Sequence, residues 1–121
     1  MTDLSSSDPA LMAALSHHQR GQMATAEKLY SQILATNPRH AQALHFSGLA
    51  ELQQGRLENA ANLIAQSLRV QENNAQAHYH LGLVMSRFGR FEEAAAHNRS
   101  AIALKPDFQD AHMNSAIRSR C

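Results

Sequence analysis

Apolar and polar positions follow the period of an α-helix along most of the chain. Between residues 41 and 52 apolar side chains recur every three or four positions, which predicts an amphipathic helix. Polar residues and Gly55 interrupt this pattern, and a second helical pattern runs from Leu57 to Leu68. Glycine favours the left-handed turn that ends many helices. The pattern therefore predicts two antiparallel helices joined by a tight turn.

The five glycines of the chain recur with one period. Gly21, Gly55 and Gly89 are 34 residues apart, and Gly48 and Gly82 are separated by the same 34 residues. A fixed period of this length is typical of repeat proteins in which each unit is one helical hairpin. The period divides the chain into unit one (7–40), unit two (41–74) and unit three (75–108).

Two glycines lie inside a predicted helix rather than at its end. Gly48 and Gly82 each fall within the first helix of a unit, where glycine costs about 1 kcal/mol relative to alanine. This cost is acceptable if the second helix of the hairpin approaches closely. Ala60 and Ala94 are the small residues available to face these glycines.

The unit resembles the tetratricopeptide repeat, a helix–turn–helix of 34 residues. The resemblance is carried by Leu81-Gly82, the turn glycines, the alanines that follow them, Tyr30, and the proline that closes units one and three. It implies an all-α fold, a right-handed solenoid of antiparallel helix pairs with three repeats and one additional helix. The departures from the pattern are Ala14 for the helix glycine, Glu72 for the closing proline, and Ile64 and Asn98 for Tyr30.

The two ends of the chain lie outside the three units. Residues 1–6 are expected to form a disordered tail, and residues 109–121 to form the first helix of a truncated fourth repeat. After Asn114 the family pattern would continue Leu-Gly-Asn, but the chain reads Ser-Ala-Ile. If the codons of residues 114–117 are AAC TCG GCA AT, insertion of one C gives AAC CTC GGC AAT, which encodes Asn-Leu-Gly-Asn. We therefore hypothesise a single-base deletion in a longer reading frame.

A last repeat without a polar capping helix leaves an apolar face open. Here that face would lie near Ile102, Met113 and Ile117. We therefore expect self-association through the uncapped C-terminal end of the array.

Composition narrows the classes of function. The formal net charge of +1 over 121 residues argues against a nucleic-acid partner, which usually selects a strong basic excess. The single cysteine, Cys121, excludes a disulfide framework within one chain. No apolar run approaches the ~20 residues that span a bilayer, and the N-terminus has no secretory pattern. We expect a cytoplasmic protein without a membrane partner.

The resemblance implies that the first helix of each unit lines a concave groove that binds a protein or peptide segment. Phe46 and Tyr79 would act as aromatic anchors, and the glutamines would meet the ligand backbone. For Leu11, Leu15, Leu49 and Leu83, packing between helices is the alternative. The predicted groove residues are Leu11, Leu15, His18, Gln42, His45, Phe46, Leu49, Leu52, Gln53, Gln76, Tyr79, His80, Leu83 and Arg87.

Two ligand sites known in the family can be compared residue by residue. The clamp that holds a chaperone's terminal carboxylates needs Lys, Asn and Arg, and this chain has Leu11, Leu15, Phe46, Gln76 and His80 in those places. The clamp is therefore absent. In the asparagine ladder of O-linked N-acetylglucosamine transferases, only Asn114 agrees. Nevertheless, the sequence of residues 77–114 is similar to repeat arrays that precede bacterial glycosyltransferase domains of the O-linked N-acetylglucosamine transferase type.

Eight histidines raise the question of a metal site or catalysis. Metal-binding helices usually place histidines three or four residues apart, whereas His17 and His18 are adjacent and His78 and His80 are two apart. His45 and His80 could converge across units. We expect structural or solvated histidines, no metal, no cofactor and no catalytic residues.

Two functions remain from different classes. The first is a non-catalytic scaffold that binds a peptide or helix in the groove. The second is the N-terminal substrate-docking part of a longer glycosyltransferase-like enzyme. RNA binding is disfavoured by the near-zero net charge.

Overall fold

A computed structural model describes residues 8–105, which form six helices and no strand. The all-α prediction and the three predicted hairpins are confirmed over this range. The predicted tail at 1–6 and the predicted fourth-repeat helix at 109–121 lie outside the described residues. The helices are α1 (Pro9–Gln19), α2 (Met23–Thr36), α3 (Ala41–Gln53), α4 (Leu57–Val70), α5 (Ala75–Arg87) and α6 (Phe91–Leu104).

Each first helix of a unit begins at a side-chain cap. The Asn74 side chain accepts a hydrogen bond from the Ala77 N–H, and the Nδ1 atom of His40 accepts one from the Ala43 N–H. Asp8 caps α1 and is followed by proline at the first helical position. Because this cap lies two residues after the position set by the 34-residue period, α1 has 11 residues where α3 and α5 have 13.

The hairpin turns close at the predicted glycines. Gly55 has a φ of 84°, its N–H donates to the Leu52 carbonyl, and the N–H of Arg56 donates to the Glu51 carbonyl. These two bonds form the motif in which a left-handed residue satisfies the last carbonyls of a helix. Gly21 and Gly89 have the same conformation and the equivalent pair of bonds.

Successive hairpins pack through a continuous apolar interior. One cluster of buried residues spans α1, α2 and part of α3, and it includes Leu11, Tyr30 and Ile33. A second cluster runs from the C-terminal end of α3 to α6 and includes Ile64 and Leu81. Because α3 contributes to both clusters, unit two joins its neighbours into one array.

Gly48 and Gly82 lie where the two helices of a hairpin come closest, as predicted. A Cβ atom at Gly48 would lie 3.2 Å from the Ala60 carbonyl oxygen and 2.6 Å from Cγ1 of Ile64. A Cβ atom at Gly82 would lie 3.2 Å from the Ala94 carbonyl oxygen. The contacts of such Cβ atoms would involve the backbone oxygens of the predicted alanines and, at Gly48, the Ile64 side chain, so the absence of a side chain at each glycine allows the two helices to approach.

A polar cluster on the surface ties unit one to unit two. The Arg56 guanidinium donates to the carboxylates of Glu51 in α3 and Glu27 in α2. The hydrogen bond from Arg56 holds the pKa of the Glu51 carboxyl below its usual range. The Glu51 carboxylate therefore stays ionised at neutral pH beside the cation that joins the two units.

Candidate peptide-binding groove

The first helices of the three units form one layer. α1 contacts α3, and α3 contacts α5, whereas the second helices contact each other more sparsely. All the predicted groove residues belong to this layer, where they face either solvent or the helices behind. Two concavities indent it, and both are lined by the Phe46 side chain.

The first concavity lies between units one and two and has a volume of about 380 Å³. Its walls are the C-terminal halves of α1 and α3 together with the first hairpin turn. The predicted groove residues that line it are Leu15, His18, Phe46, Leu49 and Gln53.

The second concavity lies between units two and three and has a volume of about 670 Å³. Amide side chains dominate its wall, and Lys105 adds a cation. The predicted groove residues that line it are Gln42, His45, Phe46 and Gln76. Gln71, Asn73 and Asn74, from the connection between units two and three, also line it and were missed from the sequence because only helical positions were considered.

The other predicted groove residues lie elsewhere in the layer. Leu11 and Leu52 are only 2% and 3% exposed and pack in the two apolar clusters. Leu83 is partly buried against the second cluster, and Arg87 is exposed at the end of α5. The Tyr79 ring lies against the ring of His80, with centroids 5.3 Å apart.

His45 and His80 converge across units two and three, as the sequence suggested. The Nε2 atom of His45 lies 2.8 Å from Nδ1 of His80, and the two rings are 5.0 Å apart. His45 is 1% exposed and stacks on Phe46. Burial, helped by the neighbouring His80, lowers the pKa of His45 to about 3. His45 is therefore neutral at physiological pH and acts as a support beneath Phe46.

His18 connects units one and two at the floor of the first concavity. Its Nδ1 atom lies 2.8 Å from the Tyr30 hydroxyl and its Nε2 atom 2.7 Å from Oε1 of Gln53. A neutral ring with the proton on Nε2 satisfies both bonds, because Nε2–H donates to Gln53 and Nδ1 accepts from the hydroxyl. Gln53 is thus held in one orientation at the wall of the groove.

A larger indentation, about 840 Å³, lies beside the connection between units one and two. It is bounded by α2 and by the two capped helix starts, where His40 Nε2 donates to the Asp8 carboxylate at 2.9 Å. That hydrogen bond holds the pKa of Asp8 below its usual range. No helix-face pattern predicted this indentation, since its walls come mainly from the ends of helices and the connections between them.

Residues 8–105 contain neither a cluster of metal-ligating side chains nor a membrane-spanning helix. In this range no group of three or more His, Cys, Asp or Glu side chains is arranged around a common metal position. No helix in the same range has the length and apolar character that crossing a bilayer requires.

Comparison with known proteins identifies the architecture. The chain is similar to MamA (20% identity, TM-score 0.83, 89% of this chain and 63% of that one). It is also similar to the TPR domain of Arabidopsis OM64 (19% identity, TM-score 0.86, 93% of each chain). The chain therefore spans somewhat less than two thirds of the MamA chain that it matches.

A third similar structure belongs to an enzyme. A mutant of the Thermobaculum terrenum O-GlcNAc transferase matches with 27% identity and a TM-score of 0.81, over 97% of this chain and 23% of that one. No curated protein sequence matches the chain. The family model described as "Tetratricopeptide repeat" matches residues 11–68 and again 47–107. These two matches cover most of the sequence, and the chain belongs to the tetratricopeptide-repeat family, with the helical solenoid fold of that family.

Proposed function

We propose that the protein is a non-catalytic scaffold that binds an extended peptide or a helix along the layer formed by α1, α3 and α5. Tetratricopeptide repeats in general bind protein partners and carry no catalytic centre, which supports the class of function. The single observation that carries the proposal is the placement of Phe46, whose side chain lines both concavities. A ligand that crosses the Phe46 ring would therefore enter both concavities.

The chemistry of the two concavities indicates the kind of ligand. Gln42 and Gln76 lie at the same position of successive units and both line the second concavity. Amide side chains donate and accept, so they match the N–H and C=O groups of a peptide backbone. An aromatic ring on a buried support loses little conformational entropy on binding, as hot-spot residues require. We propose an uncharged or mildly acidic segment with apolar side chains, since Lys105 is the cation at this wall.

Replacing Phe46 with alanine is expected to weaken binding of such a peptide by about 2 kcal/mol, or about thirtyfold in Kd. The reason is that both concavities lose their common wall. Peptides selected from a displayed random library on the full chain would supply the ligand, and fluorescence anisotropy would measure the Kd of each variant.

The control variant is Gln66→Ala, on the exposed side of α4. It is expected to bind like the unchanged protein. Gln76 is also exposed, so Gln76→Ala tests the groove without removing packing. A loss of peptide affinity in this variant supports the proposal. Selected peptides whose Kd is insensitive to both Phe46→Ala and Gln76→Ala would contradict the proposed site.

The second candidate function is substrate docking for a longer glycosyltransferase-like enzyme. The observation that favours it is the match to the O-GlcNAc transferase, in which this chain spans 23% of the other. Genomic sequence around the codons of residues 114–117 tests this candidate. A reading frame homologous to a glycosyltransferase, displaced by one base, is expected under this hypothesis, and a downstream region without such a frame would exclude it.

We further propose that the protein is cytoplasmic and that it self-associates through the uncapped C-terminal end of the array, near Ile102. On α4 the face formed by Leu57, Ile64 and Leu68 packs against the apolar cluster that includes α5. The corresponding positions of α6 carry Phe91, the buried Asn98 and Ile102, and Phe91 is 46% exposed. An apolar face of this kind favours association.

The variant Phe91→Glu/Ile102→Glu is expected to reduce the mean mass in solution, because a charge on this face opposes its burial. Static light scattering over a range of concentrations measures the mass. Ala96→Glu, on another face of the same helix, is the matched control and should leave the mass unchanged. A concentration-independent monomer mass for the unchanged chain would contradict the association.

A further inference from the structure

Unit three carries two histidines at positions that are apolar in the other units. His78 lies in α5 and His97 in α6, and they face each other across the hairpin. Both members of the pair differ from the other units, whereas the surrounding hairpin keeps the same turn and helix spacing. The corresponding pairs are Ala10 and Leu29 in unit one, and Leu44 and Leu63 in unit two.

The distance between the two imidazoles is unusual for a hydrogen bond. The Nδ1 atoms of His78 and His97 are 3.3 Å apart, beyond the 2.7–3.2 Å typical of N–H donors. Two imidazole nitrogens bound to one tetrahedral zinc ion, each about 2.0–2.1 Å from it, are about 3.3–3.4 Å apart. The separation therefore also fits two ligands of a common ion.

The His78 ring is oriented as a metal ligand usually is. Its Nε2 atom lies 3.1 Å from the backbone carbonyl oxygen of Glu72, just before α5. That carbonyl can only accept, so Nε2 carries the proton and Nδ1 presents its lone pair towards His97. A backbone carbonyl on the far ring nitrogen fixes the tautomer and orientation of ligating histidines in many metal sites.

The surroundings of His97 favour the neutral form that binds metals. Burial, followed by the neighbouring His78, lowers the pKa of His97. The Glu93 carboxylate, one turn earlier on α6, raises the pKa of His97 and so opposes these two effects. Both rings remain partly exposed at the side of the hairpin, so an ion can reach them from solvent.

We propose that the Nδ1 atoms of His78 and His97 bind one divalent transition-metal ion that prefers imidazole, represented by Zn²⁺, with water in the other positions. The ion would cross-link the two helices of unit three. The His45–His80 pair does not share this property. Its nitrogens are 2.8 Å apart, within hydrogen-bonding range, and His45 is 1% exposed.

The test is a calorimetric titration of the full chain with ZnCl₂ alone, with MgCl₂ as the hard-cation comparison. One Zn²⁺ per chain should bind at this site, and Mg²⁺ should not. The variant His78→Leu/His97→Leu installs the leucine pair of unit two, so it keeps the packing of the hairpin. It should lower the Zn²⁺ affinity by at least about tenfold, since ligand-sphere losses in metal sites cost that much or more.

His17→Gln is the matched control, because His17 is a partly exposed histidine away from unit three. It should leave the titration unchanged. Circular dichroism of each variant checks that the helices are retained. An unchanged Zn²⁺ affinity in the leucine pair variant, or no heat of binding in the unchanged chain, would overturn the proposal. NMR of the imidazole nitrogens provides a second measurement, in which Nδ1 and not Nε2 of His78 should shift on addition of Zn²⁺.

Discussion

Acidification from pH 7 to pH 4.5 is expected to lower the free energy of unfolding by about 2–3 kcal/mol through His45 alone. In the folded chain the pKa of His45 is lowered to about 3, against 6.5 for an ordinary histidine. Between these values the unfolded chain binds a proton that the folded chain does not. The stability is therefore fully present above pH 6.5 and is lost as the pH falls. Urea unfolding followed by circular dichroism at several pH values measures the slope.

The pH window separates the histidines from the carboxylates. The pKa values of Asp8 and Glu51 lie below their ordinary values of 3.8 and 4.5, so the stability they contribute is lost only as the pH falls below those values. His97, whose pKa is also lowered, acts in the same direction as His45. A decline between pH 6.5 and 4.5 is thus a property of the buried imidazoles.

Replacing His45 with leucine should flatten this decline. Leucine is the residue at the same position of unit one, where Leu11 is buried. The comparison uses the slope against pH, because the substitution also changes packing and leaves His80 beside an apolar side chain. The variant His97→Leu measures separately the smaller contribution of His97 to the loss of stability at low pH. A slope that persists unchanged in His45→Leu would show that His45 is not the group that resists protonation.

The periodicity predicted the helices and turns correctly because glycine, alanine and proline act locally. The turn at Gly55 needs a left-handed residue, and the period repeats that need in each unit. The start of α1 did not follow the period, because the Asp8 side chain caps the helix and Pro9 occupies its first position. The start of α1 therefore depends on its local capping residues and not on the 34-residue period.

The groove was predicted only as a set of helix positions. Which of them are buried depends on the neighbouring unit, so the burial of Leu11, Leu52 and His45 could not be read from one helix face. The contact of His78 with His97 was missed for a related reason. It joins residues 19 apart in the sequence across a hairpin, whereas the histidine pairs predicted from the sequence lie along one helix or in the first helices of neighbouring units.

Replacing Gly48 with alanine is expected to lower the free energy of unfolding by about 1–3 kcal/mol, the usual cost of overpacking a core. This holds although alanine favours a helix by about 1 kcal/mol over glycine. The new Cβ atom would lie 2.6 Å from Cγ1 of Ile64, whose side chain is completely buried and cannot turn away. Chemical denaturation of the two proteins at neutral pH measures the difference.

Two further variants determine whether the contact with Ile64 is the cause. At Gly82 the nearest atoms to a new Cβ are 3.2 Å away, so Gly82→Ala should be much less destabilising than Gly48→Ala. Ile64→Ala removes Cγ1, and in that background Gly48→Ala should cost less or even stabilise, because its methyl group fills part of the vacated space. Additive effects in the double variant would show that the contact with Ile64 is not the cause of the destabilisation. They would indicate instead that the carbonyl oxygen of Ala60, 3.2 Å from the same Cβ position, sets the separation of the two helices.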